Sequence, residues 1–356
     1  MSKSELKSRL WLLSLIIMPL MLVSCKAEFN PNDDWREIPV VYCILDQDDD
    51  TTFVRVQKCF LGEGDQRVYA TVGDSINYPE GAITVRLEAW NTWIDNDGGF
   101  HRYGESPDTV FDFTYTESID KEDGVFYSGK QPYYYCVTSG LLDTSYIYHL
   151  VIIKTATGDT IAQSETMLIS GEMQLLKPNE LTKFQFSGTA GSKSCEISWT
   201  KMRNARRYQP IVRFNYRDFI IDHSNTVWDT TIIRHYIDIP CSVIKSNMIS
   251  QVLTTRMDQN YFLSIIKTSI GDEVVNRNII DTVQIFVNCC TEDLSAYLFS
   301  GSHTGSIIQQ SHIYTNIQGG LGVFAARRTH IFFSVPTPAS SGSDYVKALK
   351  QLDIGF

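Results

Sequence analysis

Polar and apolar residues alternate over most of the chain in short stretches whose period is two, the repeat of a strand with one buried face. Residues 38–45 (IPVVYCIL) and 51–60 (TTFVRVQKCF) are β-branched and aromatic runs on either side of Asp46-Gln47-Asp48-Asp49-Asp50, which predicts a hairpin with an acidic turn. Residues 82–90 (AITVRLEAW) alternate in the same way, and 95–99 (DNDGG) supply a tight turn after them. Segments 110–115, 125–127, 133–138 and 146–155 are again short, aromatic and β-branched, with Gly, Asp or Ser between them. Strands at this spacing predict a β-sandwich.

The pattern breaks between 157 and 178, where Gly158, Gly171 and Pro178 punctuate the chain. This predicts two domains: an N-terminal β-sandwich over 37–172 and a second β-domain over 173–335. The second opens with 182–186 (TKFQF) and 194–200 (SCEISWT), followed by 204–216 (NARRYQPIVRFNY). A strand ending in Trp199, a short turn, and then Ala205-x-x-Tyr208 entering a strand resembles the B and C strands of fibronectin type III domains. The resemblance implies that Trp199 and Tyr208 are core residues, and the alternation predicts the two strands paired over the indole. The fold class expected is therefore mostly β, two β-sandwich domains of immunoglobulin or fibronectin type III type, with one or two short helices in the second half.

Those helices are expected at 242–254 (SVIKSNMISQVLT), where apolar residues recur near helical spacing behind a Ser that can cap, and at 291–299 (TEDLSAYLF), with Thr291 as N-cap and Glu292 and Asp293 in the first turn. Strands are expected at 260–269 and 279–287. The tail motif Asn316-Ile317-Gln318-Gly319-Gly320-Leu321-Gly322-Val323-Phe324 fits neither GxGxxG nor GxxxxGK[ST], so it predicts a glycine turn into a last strand and no phosphate loop. Residues 336–356 begin rich in Pro, Ser and Gly and are expected to be a flexible tail.

The N-terminus has a different pattern. Lys3, Lys7 and Arg9 precede a 14-residue apolar run, 10–23, too short for a hydrocarbon core that needs about 20 residues. It predicts a signal peptide over 1–24. Leu22-Val23-Ser24-Cys25 resembles the bacterial lipobox, which implies cleavage before Cys25 and acylation of its thiol. Lys26-Ala27-Glu28 is similar to a signal that sends Bacteroidota lipoproteins to the outer face of the outer membrane, and 25–36 reads as a tether. The chain of 356 residues carries a net charge of −10; loss of 1–24 leaves 28 basic against 40 acidic residues, a net of −12. With no basic block, nucleic acid is not an expected partner.

Candidate chemistry is sparse. Trp90, Trp93, Tyr133, Tyr134 and Tyr135 are candidates for a ligand surface, set against the ordinary role of strand aromatics in cores and cross-strand pairs. The Asp46/Asp48/Asp50 alternation fails as an EF-hand loop, because Thr51 and Gln57 stand where Gly and Glu are required. Besides Cys25 there are seven cysteines, which spacing alone does not pair; Cys43 and Cys59 fall in adjacent strands, within reach of a bridge. Cys289-Cys290 has no His at ligand spacing, so neither metal nor cofactor is expected. The seven His show no HExxH, and in Gly301-Ser302-His303-Thr304-Gly305 a His replaces the nucleophile of GxSxG. A non-catalytic protein is expected.

The lipobox, the two β-domains, residues 82–87 and above all 316–324 together resemble a Bacteroidota lipoprotein family catalogued as domain of unknown function 4249. Members are often encoded beside TonB-dependent outer-membrane transporters. The resemblance implies a surface lipoprotein, lipid-anchored in the outer membrane, accessory to nutrient binding or to such a transporter, and it supplies no catalytic or ligand residues. The alternatives are a fimbria-like or adhesin subunit, marked by a donated edge strand, and a surface hydrolase.

Overall fold

The computed structural model describes residues 37–59, 71–97, 99–119, 127, 129–189, 191–222, 229–246, 250–270, 276–301, 314–338 and 340–356. Eighteen strands and four short helices make the described chain mostly β, as expected. The first half carries β1 (Ile38–Leu45), β2 (Thr51–Cys59), the one-turn helix α1 (Gly73–Ile76), β3 (Ile83–Ile94), β4 (Phe100–Tyr103), β5 (Thr109–Asp112), β6 (Thr114–Ile119), β7 (Gln131–Val137), β8 (Ile147–Lys154) and β9 (Thr160–Met167). After these come β10 (Leu175–Lys177), β11 (Ser187–Thr189), β12 (Ser192–Thr200), β13 (Arg207–Asp222), β14 (Asp229–Pro240), β15 (Ile244–Lys245) and β16 (Val252–Asp258). The remainder is α2 (Gln259–Ser269), β17 (Asn276–Cys290), α3 (Glu292–Gly301), β18 (Leu321–Pro336) and α4 (Asp344–Lys350).

One nine-stranded sheet runs through both halves in the order β14-β13-β17-β18-β1-β2-β7-β6, with β15 on β13. A five-stranded sheet (β4-β3-β8-β9, with β5 on β3) faces one end of it. A four-stranded sheet (β10-β12-β11, with β16 on β12) faces the other. Each pair of facing sheets encloses a core. One holds Val41, Leu45, Val54, Leu87, Tyr134, Leu150 and Phe324. The other holds Phe184, Trp199, Tyr208, Phe214, Phe262, Ile285 and Leu349. The molecule is thus two sandwiches that share a sheet.

β18 is the strand they share. Its first six residues pair in parallel with β1, from Val40↔Leu321 to Leu45↔Ala326. The rest pairs antiparallel with β17, from Cys290↔Arg327 to Thr282↔Pro336. A boundary at 172 therefore divides the sequence but not the fold, since the first sandwich takes Ile317, Phe324 and Ala326 from the far end of the chain.

The glycines of 316–324 are what admit β18 to this place. A Cβ on Gly319 would stand 2.6 Å from the Ile161 carbonyl of β9, one on Gly320 2.5 Å from that of Pro39, and one on Gly322 2.0 Å from that of Val41. Gly319 and Gly322 also have φ of +80° and +110°. Asn316 closes the turn, accepting from the Phe324 N–H at 3.0 Å and donating to the Phe324 carbonyl at 2.7 Å.

Several expectations are corrected. β12 and β13 do not pair: β12 bonds β10, β11 and β16, whereas β13 bonds β14, β15 and β17. They lie in facing sheets, and the Trp199 and Tyr208 rings meet between them, 6.1 Å apart and fully buried. The helix expected at 242–254 and the strand at 260–269 exchange places. Leu253, Thr255 and Met257 alternate inward in β16, and α2 follows, capped by Asp258 accepting from the Tyr261 N–H and burying Phe262 and Ile266 one turn apart. Thr291 stands at the N-cap position of α3, its carbonyl accepting from the Ser295 N–H, while its hydroxyl accepts from the Ala326 N–H of β18. The tail is not flexible, because α4 is capped by Ser343 and buries Tyr345, Val346, Ala348 and Leu349. Cys43 faces Val54 and Cys59 faces Ile38, too many register positions apart for a bridge, and the seven described cysteines are all free.

Candidate functional site

The outer face of the shared sheet, opposite the first core, carries a concentration of rings and guanidinium groups. Alternation turns Val41, Cys43, Val54, Val56 and Tyr134 inward, so their neighbours Tyr42, Ile44, Phe53, Arg55, Tyr133 and Tyr135 face out. Cross-strand register sorts them into two rows. In one, Tyr42 is opposite Arg55, the Arg55 guanidinium lies 5.8 Å from the Tyr133 ring, and Tyr133 is opposite Thr116. In the other, Phe53 is opposite Tyr135, with ring centroids 6.5 Å apart, and Tyr135 is opposite Thr114. Phe53 is 45% exposed.

Tyr42, Phe53, Arg55 and Tyr133 line a cavity of about 320 Å³ with Ile44, Asp49, Thr51 and Arg327. Tyr297 of α3 packs edge-on to Tyr42 at 6.0 Å. Burial, with the hydrogen bond to Tyr297, pushes the Tyr42 phenol up to about 12, so it stays a neutral donor at ordinary pH. The acidic turn after β1 forms an end wall. Arg327 binds Asp46 at 3.3 Å and Asp49 at 3.2 Å, and Arg328 binds Asp48 at 3.1 Å. Two arginines thus pair with three of the four aspartates of the turn. Arg55 by contrast has no carboxylate within ion-pair distance among the described residues.

A second polar cluster lies on the outer face of the five-stranded sheet. The indole of Trp90 donates to Glu88 at 2.9 Å under the Arg102 guanidinium, which lies 5.1 Å from the ring. Arg102 pairs with Glu165 at 2.8 Å, and the buried His149 sits 3.1 Å from both Glu88 and Gln163. Each charged group is matched, which is the pattern of a network holding β4 on the sheet. Trp93 is 47% exposed and stacks on His101 at 4.8 Å.

A second cavity, about 580 Å³, lies at the seam between the sandwiches, lined by Lys201, Arg203 and Arg206 against Glu292 and Asp293. It is crossed by an Arg206–Glu292 pair at 3.4 Å.

Of the aromatic candidates, the fold brings Tyr133 and Tyr135 to one face, buries Tyr134, and places Trp90 and Trp93 on the other sheet. Tyr42, Phe53, Arg55 and Tyr297 were not anticipated, although the parity of β1 and β2 exposes the first three. Cys25 and the 301–305 run beyond Gly301 lie outside the described residues. Among the described residues no group of three or more His, Cys, Asp or Glu is arranged to hold a metal. Burial pushes the Cys195, Cys241 and Cys289 thiols up to about 12, which leaves them protonated and unreactive. No described helix is long and apolar enough to cross a membrane.

No protein-family model matches the chain, and no curated protein matches it. Among solved structures, the chain is similar to the C-terminal globular domain of an oligosaccharyltransferase from Pyrococcus abyssi, at 10% identity and a TM-score of 0.16. The match covers 85% of this chain and 50% of that one. A likeness so slight carries no argument about fold or function.

Proposed function

We propose that the protein is a non-catalytic lipoprotein of the outer membrane, anchored through acylated Cys25 and exposed at the cell surface, where it binds a nutrient for a TonB-dependent transporter. The observation that carries the binding role is the outward ring-and-arginine face, a cavity on the shared sheet with one cation, Arg55, that has no carboxylate partner among the described residues. The lipobox and the family resemblance of 316–324 carry the location. Twelve residues separate Cys25 from Ile38, where β1 begins, and the thirteen Cα–Cα steps give a reach of up to about 45 Å from the bilayer.

Metabolic labelling with an alkyne fatty acid, together with protease treatment of intact cells, tests the anchor. Label that disappears in Cys25→Ser, and digestion without lysis, are the expected results. An unlabelled chain, or one protected until the outer membrane is opened, contradicts the reading. One observation favours a structural subunit instead: β14 is a 12-residue edge strand with Ile232, Ile233 and Tyr236 exposed. Covalent or detergent-resistant ladders of the native protein would support that reading.

A further inference from the structure

We propose that the outer face of β1, β2 and β7 binds a carbohydrate carrying a carboxylate, a uronate-type glycan, with pyranose rings packed on Tyr42, Phe53 and Tyr133 and the acid group on Arg55. The inference rests on the binding role given above and names the class of its ligand.

Three features of the face select that class. First, β1, β2 and β7 are interior strands of the sheet, hydrogen-bonded on both sides by β18, β1, β2, β7 and β6 in turn. Their backbone groups are already engaged, so recognition falls to side chains, and a peptide adding as a strand has no ladder to join. Second, neighbouring strands lie about 4.8 Å apart, so Tyr42 and Tyr133, two strands apart, stand about 10 Å from one another with Arg55 between them. A flat ligand with C–H faces and polar edges fits such a row: the C–H faces lie on the electron-rich ring faces, and its edge oxygens accept from the guanidinium. Third, the charges are unequal. Arg327 is held by Asp46 and Asp49, whereas among the described residues Arg55 has no carboxylate partner and lies over the Tyr133 ring, which leaves one cation for an anionic group.

The size and charge of the face exclude the larger alternatives. At about 320 Å³ the cavity is at the low end of ligand sites, which run from roughly 300 to 1,000 Å³, and suits one or two sugar rings. One such arginine on a chain of net −10, or −12 once 1–24 are lost, does not make a nucleic-acid or bilayer surface.

The test is calorimetric titration of the detergent-solubilised full-length protein with oligogalacturonate, alginate and hyaluronan fragments, each beside a neutral oligosaccharide of matching length. Saturable binding of at least one acidic fragment is expected, with the neutral partner weaker. Arg55→Gln should weaken the acidic fragment at least tenfold and the neutral one little, whereas Tyr133→Ala should weaken both. Trp93→Ala, on the other sheet, should change neither. Melting temperatures equal to wild type establish that the variants are folded, and Tyr133→Phe should retain binding. The inference is overturned if no acidic fragment binds, or if binding survives both Arg55→Gln and Tyr133→Ala. Failure here with Cys25 acylated and the chain at the surface sinks the ligand class alone; binding by a chain that is never acylated sinks the anchor alone.

Discussion

Gly322 has a φ of +110° and would bring a Cβ to 2.0 Å from the Val41 carbonyl. Gly322→Ala therefore combines backbone strain with a collision across a parallel ladder, and is expected to cost about 3 kcal/mol or more in urea unfolding. Gly158→Ala also has a positive φ, at +76°, but open space around it, and should cost less. A Gly322→Ala variant as stable as wild type would refute the account of why β18 needs glycine. The cysteines give a second test at this scale. Thiols held near 12 are thiolate to only about one part in 10⁴ at pH 8, whereas Cys59 is partly exposed. Alkylation of native protein at pH 8, read by mass spectrometry, should modify Cys59 well ahead of Cys195, Cys241 and Cys289. The buried three should react only on unfolding, or as pH rises toward their raised values. Equal labelling of all four in the native state would contradict the burial.

At the scale of elements, α4 closes the second core, with Leu349 fully buried beside Tyr345 and Ile354. Leu349→Ala is expected to cost about 2–5 kcal/mol and Lys350→Ala almost nothing, by denaturant titration. Equal effects would mean that the tail is as loose as its composition suggests. The reason the sequence misleads here is physical. The Pro, Ser and Gly residues before 344 do form turns, but Tyr345, Val346 and Leu349 behind them make an apolar helical face that only a nearby core can stabilise. The exchange of helix and strand between 242 and 269 has a similar origin. β-Branched and aromatic residues in 260–269 favour a strand, and what overrides them is the Asp258 cap and the Phe262/Ile266 spacing, one turn of helix apart. Where alternation alone decides, as in β1 to β3, the elements and their buried faces were legible. For the same reason so was the outward set of Tyr42, Phe53 and Arg55, once parity is followed across the hairpin. The match of Arg327 and Arg328 to the acidic turn was not, because about 280 residues separate the partners and only the topology brings them together.

For the whole molecule, the shared sheet means that neither sandwich is complete alone. Hydrogen-exchange mass spectrometry in increasing urea should show β8, in the first sandwich, and β17, in the second, losing protection together. Loss in two separate steps would mean that the halves are independent domains, as the break in the pattern near 172 first suggests. The same continuity bears on function, because it places the outward ring-and-arginine face on one sheet that runs through both halves. The halves meet there as well, since the acidic turn of the first sandwich is clasped by arginines of the strand that completes the second. The central claim is that this body works at the outer membrane as the binding partner of a transporter. The most direct measurement is affinity capture of the intact acylated protein from its own outer membrane, with the co-purifying chains identified by mass spectrometry. A TonB-dependent β-barrel recovered in near-equal amount is the expected result, and recovery of the protein only with itself, in polymers, would contradict it.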